Sequence, residues 1–137
     1  MKKYLKLLTL VCLVVALTIS CVACGAPNLE KLKTKLEENG LMAKVVADVA
    51  NDDLSLNMQA IFATQVPSYY GNENIVNALV ACDLINPTRF ALVVNFDDVD
   101  AAKEAEKFVE ENNDSMVKRS GKTLFVASTN ELLKTIS

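Results

Sequence analysis

The order of structural elements after Leu41 predicts an α+β fold. Hydrophobicity patterns there indicate, in succession, a strand, a helix, two strands, a second helix and a two-stranded hairpin. One further helix precedes Leu41 and another closes the chain. This order is that of the ferredoxin-like split βαβ pattern, with an extra strand and extra N- and C-terminal helices. We therefore expect one antiparallel sheet with helices covering one face.

The segment from Asn28 to Gly40 predicts an amphipathic helix. Asn28 is a favourable N-cap, Gly40 supplies the C-terminal stop, and three leucines share one stripe: Leu29, Leu32 and Leu36. The following stretch, LMAKVVADVA, alternates as a strand with one buried side does. Its apolar face holds Ala43, Val45, Ala47 and Val49, and its polar face holds Lys44 and Asp48.

A second helix and a pair of strands are predicted next. Asp52 or Asp53 caps the helix, whose inner stripe is Leu54, Met58, Ile61 and Phe62. Residues 67–72, PSYYGN, have loop composition. Two apolar runs, IVNALVACDL and RFALVVNF, flank the turn-forming residues 85–88 and predict an antiparallel pair.

The C-terminal third predicts a helix, a hairpin and a last short helix. Asp97 caps the first helix, and its buried stripe is Val99, Ala102, Ala105 and Val109. The segment MVKRSGKTLFVAS forms the hairpin, turning at Ser120-Gly121. Its basic residues Lys118, Arg119 and Lys122 could meet an anionic headgroup or polymer, although a solvated tip is favoured. Ser128 and Glu131 form a capping box before a helix that buries Leu132, Leu133 and Ile136.

The N-terminus has the three parts of a secretory signal peptide. A lysine-rich head is followed by an uncharged run from Leu7 to Ile19 and then by small residues. The alternative is a retained membrane anchor, because uncharged residues continue to Asn28, enough to span a bilayer of roughly 30 Å. The small-residue cluster favours cleavage.

Two cysteines lie at the end of this leader, in the stretch TISCVACGA. It resembles the lipobox of bacterial lipoproteins, in which a cysteine after a small residue receives a diacylglyceryl group and becomes the mature N-terminus. Cys24, between Ala23 and Gly25, fits best, although Cys21 occupies a position where leucine is customary. Cys21, after Ser20, is the alternative. The resemblance implies residues 1–23 as signal peptide, 24–27 as lipidated cysteine and spacer, and 28–137 as one domain.

The C-x-x-C spacing also suggests a redox pair or half a zinc site. A redox motif belongs in a folded domain after a strand, whereas this one ends a signal sequence. A zinc site needs further ligands, yet the chain has no histidine and only Cys12 and Cys82 as other cysteines. We expect no metal and no cofactor, and Cys82 to be a small hydrophobic residue of a strand.

The net charge and the residue types present argue against several classes of partner and activity. The formal net charge is −3, but after Cys24 there are 11 Lys and Arg against 17 Asp and Glu, a net charge of −6. This acidity disfavours nucleic acid and an anionic membrane surface as the main partner. Without histidine the commonest general base is missing. Asp97, Asp98 and Asp100 cap a helix more readily than they bind calcium, since the loop glycine and distal glutamate are absent.

The remaining candidates for contact are two adjacent aromatic residues, Tyr69 and Tyr70. In a loop they could bind a protein or glycan partner, or they could pack over the sheet edge. The segments VVNFDDVDAAKEAEKFV and VKRSGKTLFVAS are similar to those of a group of small bacterial lipoproteins of uncharacterised function. We expect a lipid-anchored, extracytoplasmic, non-catalytic binding or interaction module. The alternative is an accessory subunit of an envelope enzyme or transporter, which should present a flat apolar face on an amphipathic helix such as residues 28–40.

Overall fold

A computed structural model describes residues 26–47, 54–69 and 73–137. The predicted signal peptide, Cys21, Cys24, Asp52, Asp53 and Tyr70 lie outside these residues. The described elements are, in chain order, α1 Leu29–Glu38, β1 Met42–Val46, α2 Leu56–Gln65, β2 Ile75–Cys82, β3 Phe90–Phe96, α3 Val99–Asn112, β4 Met116–Ser120, β5 Thr123–Ala127 and α4 Asn130–Ile136.

The five strands form one antiparallel sheet in the order β1-β2-β3-β5-β4. The predicted α+β class, the antiparallel sheet and the two extra terminal helices are therefore confirmed. The ferredoxin-like label is not confirmed. Strands β1 and β2 are direct antiparallel neighbours, with Ala43 opposite Ala81. A split βαβ unit would place another strand between them.

Helices cover both faces of the sheet, not one as expected. Helices α2 and α3 pack on the first face (the α2/α3 face) through Met58, Phe62, Ala102 and Val109. Helices α1 and α4 cover the second face (the α1/α4 face) through Leu32, Leu36, Leu132 and Ile136. The cause lies in the central strands: residues 78–82 of β2 and 90–94 of β3 are all buried. A strand with apolar side chains on both sides needs a layer on each.

The boundaries of α1 follow the predicted signals. The Asn28 side chain accepts the N–H of Lys31 at 3.2 Å. At the other end Gly40 has φ +83°, its N–H donates to Glu37, and the N–H of Leu41 donates to Leu36. These two bonds form a Schellman motif, whose left-handed residue favours glycine.

Three predicted caps are corrected by one to three residues. The side chain of Asp98, not Asp97, accepts an N–H of the first turn of α3, that of Asp100, at 3.3 Å. The backbone N–H of Asp97 instead donates to Asn74 at 2.8 Å, ahead of β2. Helix α2 begins after Ser55, whose Oγ accepts the N–H of Met58 at 3.3 Å.

The third correction concerns the last helix. Thr129 caps α4 by accepting the N–H of Leu132 at 3.2 Å. Ser128, the predicted cap, instead extends the sheet: its Oγ accepts the N–H of Phe90 at 2.9 Å and donates to the same residue's carbonyl. The Ser128 hydroxyl therefore bonds to Phe90, 38 residues away in sequence, and does not cap the adjacent helix.

The predicted hairpin is confirmed, but its turn lies at Gly121 and Lys122, one residue later than predicted, because Ser120 still pairs with Thr123. Gly121 has φ +59°, and Lys122 has no positive φ. Two-residue hairpin turns match the sheet twist only with such a left-handed residue, which glycine adopts without a Cβ clash.

Candidate functional site

Tyr69 lies in the core and presents no surface to a partner. Its side chain is 0% exposed, and its ring stacks on Phe62 with 3.7 Å between centroids and 20° between planes. Its backbone N–H donates to Val66 at 2.9 Å, which closes the turn after α2. The packing alternative therefore describes Tyr69. Tyr70 lies outside the described residues, so its predicted contact stays a prediction.

The first cavity on the α2/α3 face, the α2 pocket, lies between α2 and the β2–β3 loop. Its volume is about 410 Å³. One wall is the side of α2 from Asn57 to Gln65, and the other is formed by Pro87, Thr88 and Phe90. None of these residues is charged, but Thr64, Gln65 and Thr88 join Asn57 as polar lining residues, so the pocket suits an uncharged occupant with both apolar and polar groups.

A second cavity, the α2–α3 pocket, lies on the other side of the same helix end. Its volume is about 310 Å³, and it is lined by the end of α2 and the following turn on one side and by α3 on the other. Glu104 is its only charged lining residue. Near this end of α2, the Asn113 side-chain amide donates to the Thr64 carbonyl at 3.3 Å, so a hydrogen bond joins the two helix ends.

Gln65 lines both pockets. Its side chain is only 5% exposed, and its Oε1 atom is buried with no hydrogen-bond partner among the described residues. Thr123, the other buried polar residue in the described part of the chain, donates its hydroxyl to Asn95 at 2.7 Å. A buried acceptor left without a donor costs about 1–3 kcal/mol of stability. Gln65 is therefore an energetic anomaly located where two cavities meet.

The β2–β3 loop carries the most exposed apolar side chains near the α2 pocket. Leu84 is 66% exposed and Ile85 is 95% exposed. Isolated apolar residues on a surface are ordinary. Here, however, two are adjacent, and the same loop supplies Pro87 and Thr88 to the wall of the α2 pocket. Leu56, 82% exposed, begins the helix that forms the opposite wall.

Hydrogen bonds hold this loop in one shape. The carboxylate of Asp83 accepts the N–H groups of Ile85 at 2.9 Å and Asn86 at 3.3 Å, and Arg89 lies 3.5 Å from its second oxygen. The two backbone N–H groups, and then Arg89, hold the pKa of Asp83 below its ordinary value. Arg89 also donates to the Asn39 carbonyl at 3.1 Å, which ties the loop to the end of α1. Leu84 and Ile85 are therefore exposed on a loop whose conformation is stabilised by hydrogen bonds and an ion pair.

The α2 pocket has no charged lining residue, and the α2–α3 pocket has one. Within the described part of the chain, no three Asp, Glu, Cys or His side chains are grouped as metal ligands. Cys82 is a buried residue of strand β2, as predicted, and the structure shows its thiol to be free. Burial raises its pKa, and the Asp83 carboxylate raises it further. A protonated, inaccessible thiol is a poor nucleophile.

Known proteins add no function to this geometry. Comparison with protein-family models, curated proteins and solved structures finds no match to the chain. The resemblance to small bacterial lipoproteins therefore stays a prediction. No helix among residues 26–47, 54–69 and 73–137 is long and apolar enough to cross a bilayer.

Sequence reasoning missed Gln65 and the exposed pair Leu84 and Ile85. A signal for Gln65 was present: it follows Ile61 by four residues, so it continues the buried stripe of α2. The pair was assigned to a strand end and a turn. Apolar residues next to Asn86-Pro87, where the chain must leave the sheet, were the available sign of exposure.

Proposed function

We propose that this chain is a lipid-anchored, extracytoplasmic binding module that captures an apolar segment of a protein partner at the α2 pocket. The lipobox-like stretch supports anchoring through Cys24, with Cys21 as the alternative. Helix α1 begins five residues after Cys24, and Asn28 caps it. The domain would therefore stand close to the bilayer on a spacer of three residues, 25–27.

The observation that carries the binding proposal is Ile85, 95% exposed on a loop whose backbone is held by Asp83. Burying a leucine or isoleucine side chain contributes about 1.5–3 kcal/mol. Leu84 and Ile85 could therefore supply a substantial part of the affinity for a partner. Because the loop is already ordered, little conformational entropy is lost on binding.

A protein segment fits better than a glycan. Phe90 is the only aromatic residue that lines the α2 pocket, and it is 9% exposed. Sugar recognition through ring stacking would need a more accessible aromatic face. Exposed aliphatic surface is supplied instead by Leu84 and Ile85 on the adjoining loop. We also propose that the module has no catalytic activity of its own.

The alternative, an accessory subunit of an envelope enzyme or transporter, is supported by the same loop. It is not supported by α1, the helix expected to offer a flat apolar face. The apolar stripe of α1 packs against the sheet: Leu36 is 0% exposed, and Leu29 and Leu32 are each 8% exposed. The identity of the captured partner distinguishes the two functions.

Metabolic labelling with a palmitate analogue tests the anchor. We expect wild-type chain and Cys21→Ala to be labelled and recovered with membranes. Cys24→Ala should be unlabelled. Persistent labelling of Cys24→Ala that disappears only when Cys21 is also replaced would assign the lipid to Cys21, and absence of labelling in the wild type would refute the anchor.

Photo-crosslinking in intact cells tests the binding surface. A photoreactive residue at position 85 should yield a discrete crosslinked protein, and Leu84→Asp should abolish that product. The matched control places the same residue at position 34, exposed on α1, on the other face of the sheet. Equal products from positions 85 and 34, or none from position 85, would refute the proposal.

A further inference from the structure

A third cavity lies on the α1/α4 face, opposite the proposed binding surface. Its volume is about 370 Å³, and it lies between α1, α4 and the outer hairpin of β4 and β5. Three lysines line it, one from each region: Lys35, Lys118 and Lys134. We call it the lysine pocket. Its lining includes no aspartate or glutamate side chain.

These lysines are exposed and form no ion pair with a described carboxylate. Among the described residues, no carboxylate lies within ion-pair distance of any of the three ammonium groups. Arg119, next to Lys118, is by contrast neutralised by Glu106 at 3.3 Å. Three lysines around one concave surface, with no acidic side chain in its lining, attract an anion.

The net negative charge of the mature chain does not oppose this attraction, because it is concentrated elsewhere. Residues 97–114, which comprise α3 and its flanks, contain eight acidic and two basic side chains. The rest of the chain after Cys24 contains nine of each and is therefore neutral. Helix α3 packs on the α2/α3 face, so its charge lies across the sheet from the lysine pocket.

The short spacer between Cys24 and the domain limits the distance between the lysine pocket and the membrane. Pro27 lines the lysine pocket, and it follows Cys24 by three residues. Three extended residues span at most about 11 Å. Anchoring at Cys24 would therefore hold the rim of the pocket within about 11 Å of the bilayer surface, close to the Debye length of about 8 Å at physiological salt.

We propose that the lysine pocket docks on the anionic phospholipid headgroups of the membrane that holds the anchor. This inference rests on the proposed lipid anchor. Docking points α3 away from the negatively charged surface. It also leaves the α2 pocket, on the opposite face of the sheet, open to a partner. The lipid therefore keeps the domain at the membrane, and the lysines set its orientation.

Lysine reactivity in vesicles tests this orientation. The natively processed protein is reconstituted into phosphatidylcholine vesicles with or without a fraction of phosphatidylglycerol. A water-soluble amine reagent is added, and acylation of each lysine is followed by peptide mass spectrometry. We expect Lys118 and Lys134 to react about five-fold more slowly with the anionic lipid, the factor per lysine near a charged membrane. Lys103 and Lys107, on α3, are the internal controls and should react equally.

Salt and charge reversal strengthen the test. About 1 M salt shortens the Debye length to about 3 Å and should remove the protection. Lys118→Glu should restore the reactivity of Lys134, whereas Lys103→Glu should leave its protection intact.

The outcomes separate this inference from the anchor. Protein that floats with both vesicles but reacts equally in both overturns the docking alone. Protein that floats with neither lacks the anchor, which overturns the proposed function and this inference with it. Protection in phosphatidylcholine vesicles on addition of inorganic phosphate assigns the pocket to a soluble anion and overturns membrane docking.

Discussion

Replacing Gln65 by methionine should stabilise the protein. Methionine keeps the length of the side chain but removes the buried Oε1 atom that has no donor among the described residues. The relief is worth about 1–3 kcal/mol, part of which is lost because methionine packs less well in a site shaped for an amide. We expect a net gain of about 1–2 kcal/mol, which raises Tm by about 4–8 °C for a domain of this size.

Thermal and urea unfolding, followed by circular dichroism, measure this gain. Thr123→Val is the matched control, since it also replaces a buried polar group by an apolar one. There the hydroxyl donates to Asn95, so its removal should destabilise by about 1 kcal/mol. If Gln65→Met lowers the free energy of unfolding as Thr123→Val does, then the Gln65 amide is satisfied in solution and the reasoning is refuted.

Three further predictions follow from burial and charge. Val109→Asp places an unpaired carboxylate at a 0% exposed position and should unfold the domain. The control Glu110→Ala, at the neighbouring exposed position, should change the free energy of unfolding by less than about 0.5 kcal/mol. An unchanged Tm in Val109→Asp would show that α3 does not pack as described. The folded-state pKa of Asp83 is below its ordinary value of 3.8, so the stability it contributes is complete above that pH and is lost as the pH falls through the folded pKa. An NMR titration of Asp83 with a midpoint at or above 3.8 would contradict this. Cys82, buried and with a raised pKa, should react with a thiol reagent at neutral pH only as fast as the domain unfolds, and rapid labelling of the native protein would contradict its burial.

Local signals in the sequence located the elements well, and non-local bonds explain where they failed. Asn28 and Gly40 bound α1 as predicted because both ends are closed by bonds within the helix and its caps. Ser128 failed as a cap because Phe90, distant in sequence, takes its hydroxyl. Capping preferences describe a helix in isolation. In the folded protein, the backbone of an adjacent strand can form a hydrogen bond with the same side chain.

The sequence did indicate that both faces of the sheet are buried, but we had assumed that apolar and polar residues alternate along each strand. The stretch ALVAC in β2 and the stretch FALVV in β3 contain no polar residue, which is typical of strands covered on both faces. With one face assumed, α1 was left with its apolar stripe free for a partner. The second face uses that stripe, and it thereby removes the surface on which the accessory-subunit prediction depended.

Two features that folding stability does not explain belong to the elements that form the α2 pocket. The helical stripes predicted from the sequence pack against the sheet, whereas Gln65 lowers the stability of the fold and the exposed Ile85 side chain contributes nothing to it. One buries an acceptor without a donor, and the other exposes an aliphatic side chain on a loop that Asp83 keeps ordered. Departures of this kind are expected where selection acts on binding as well as stability. Since both residues belong to the elements that form the walls of the α2 pocket, a partner that buries Ile85 would act on the same site that Gln65 leaves unsatisfied. Gln65→Met should therefore raise the free energy of unfolding and, at the same time, lower the yield of the crosslinked product formed from position 85.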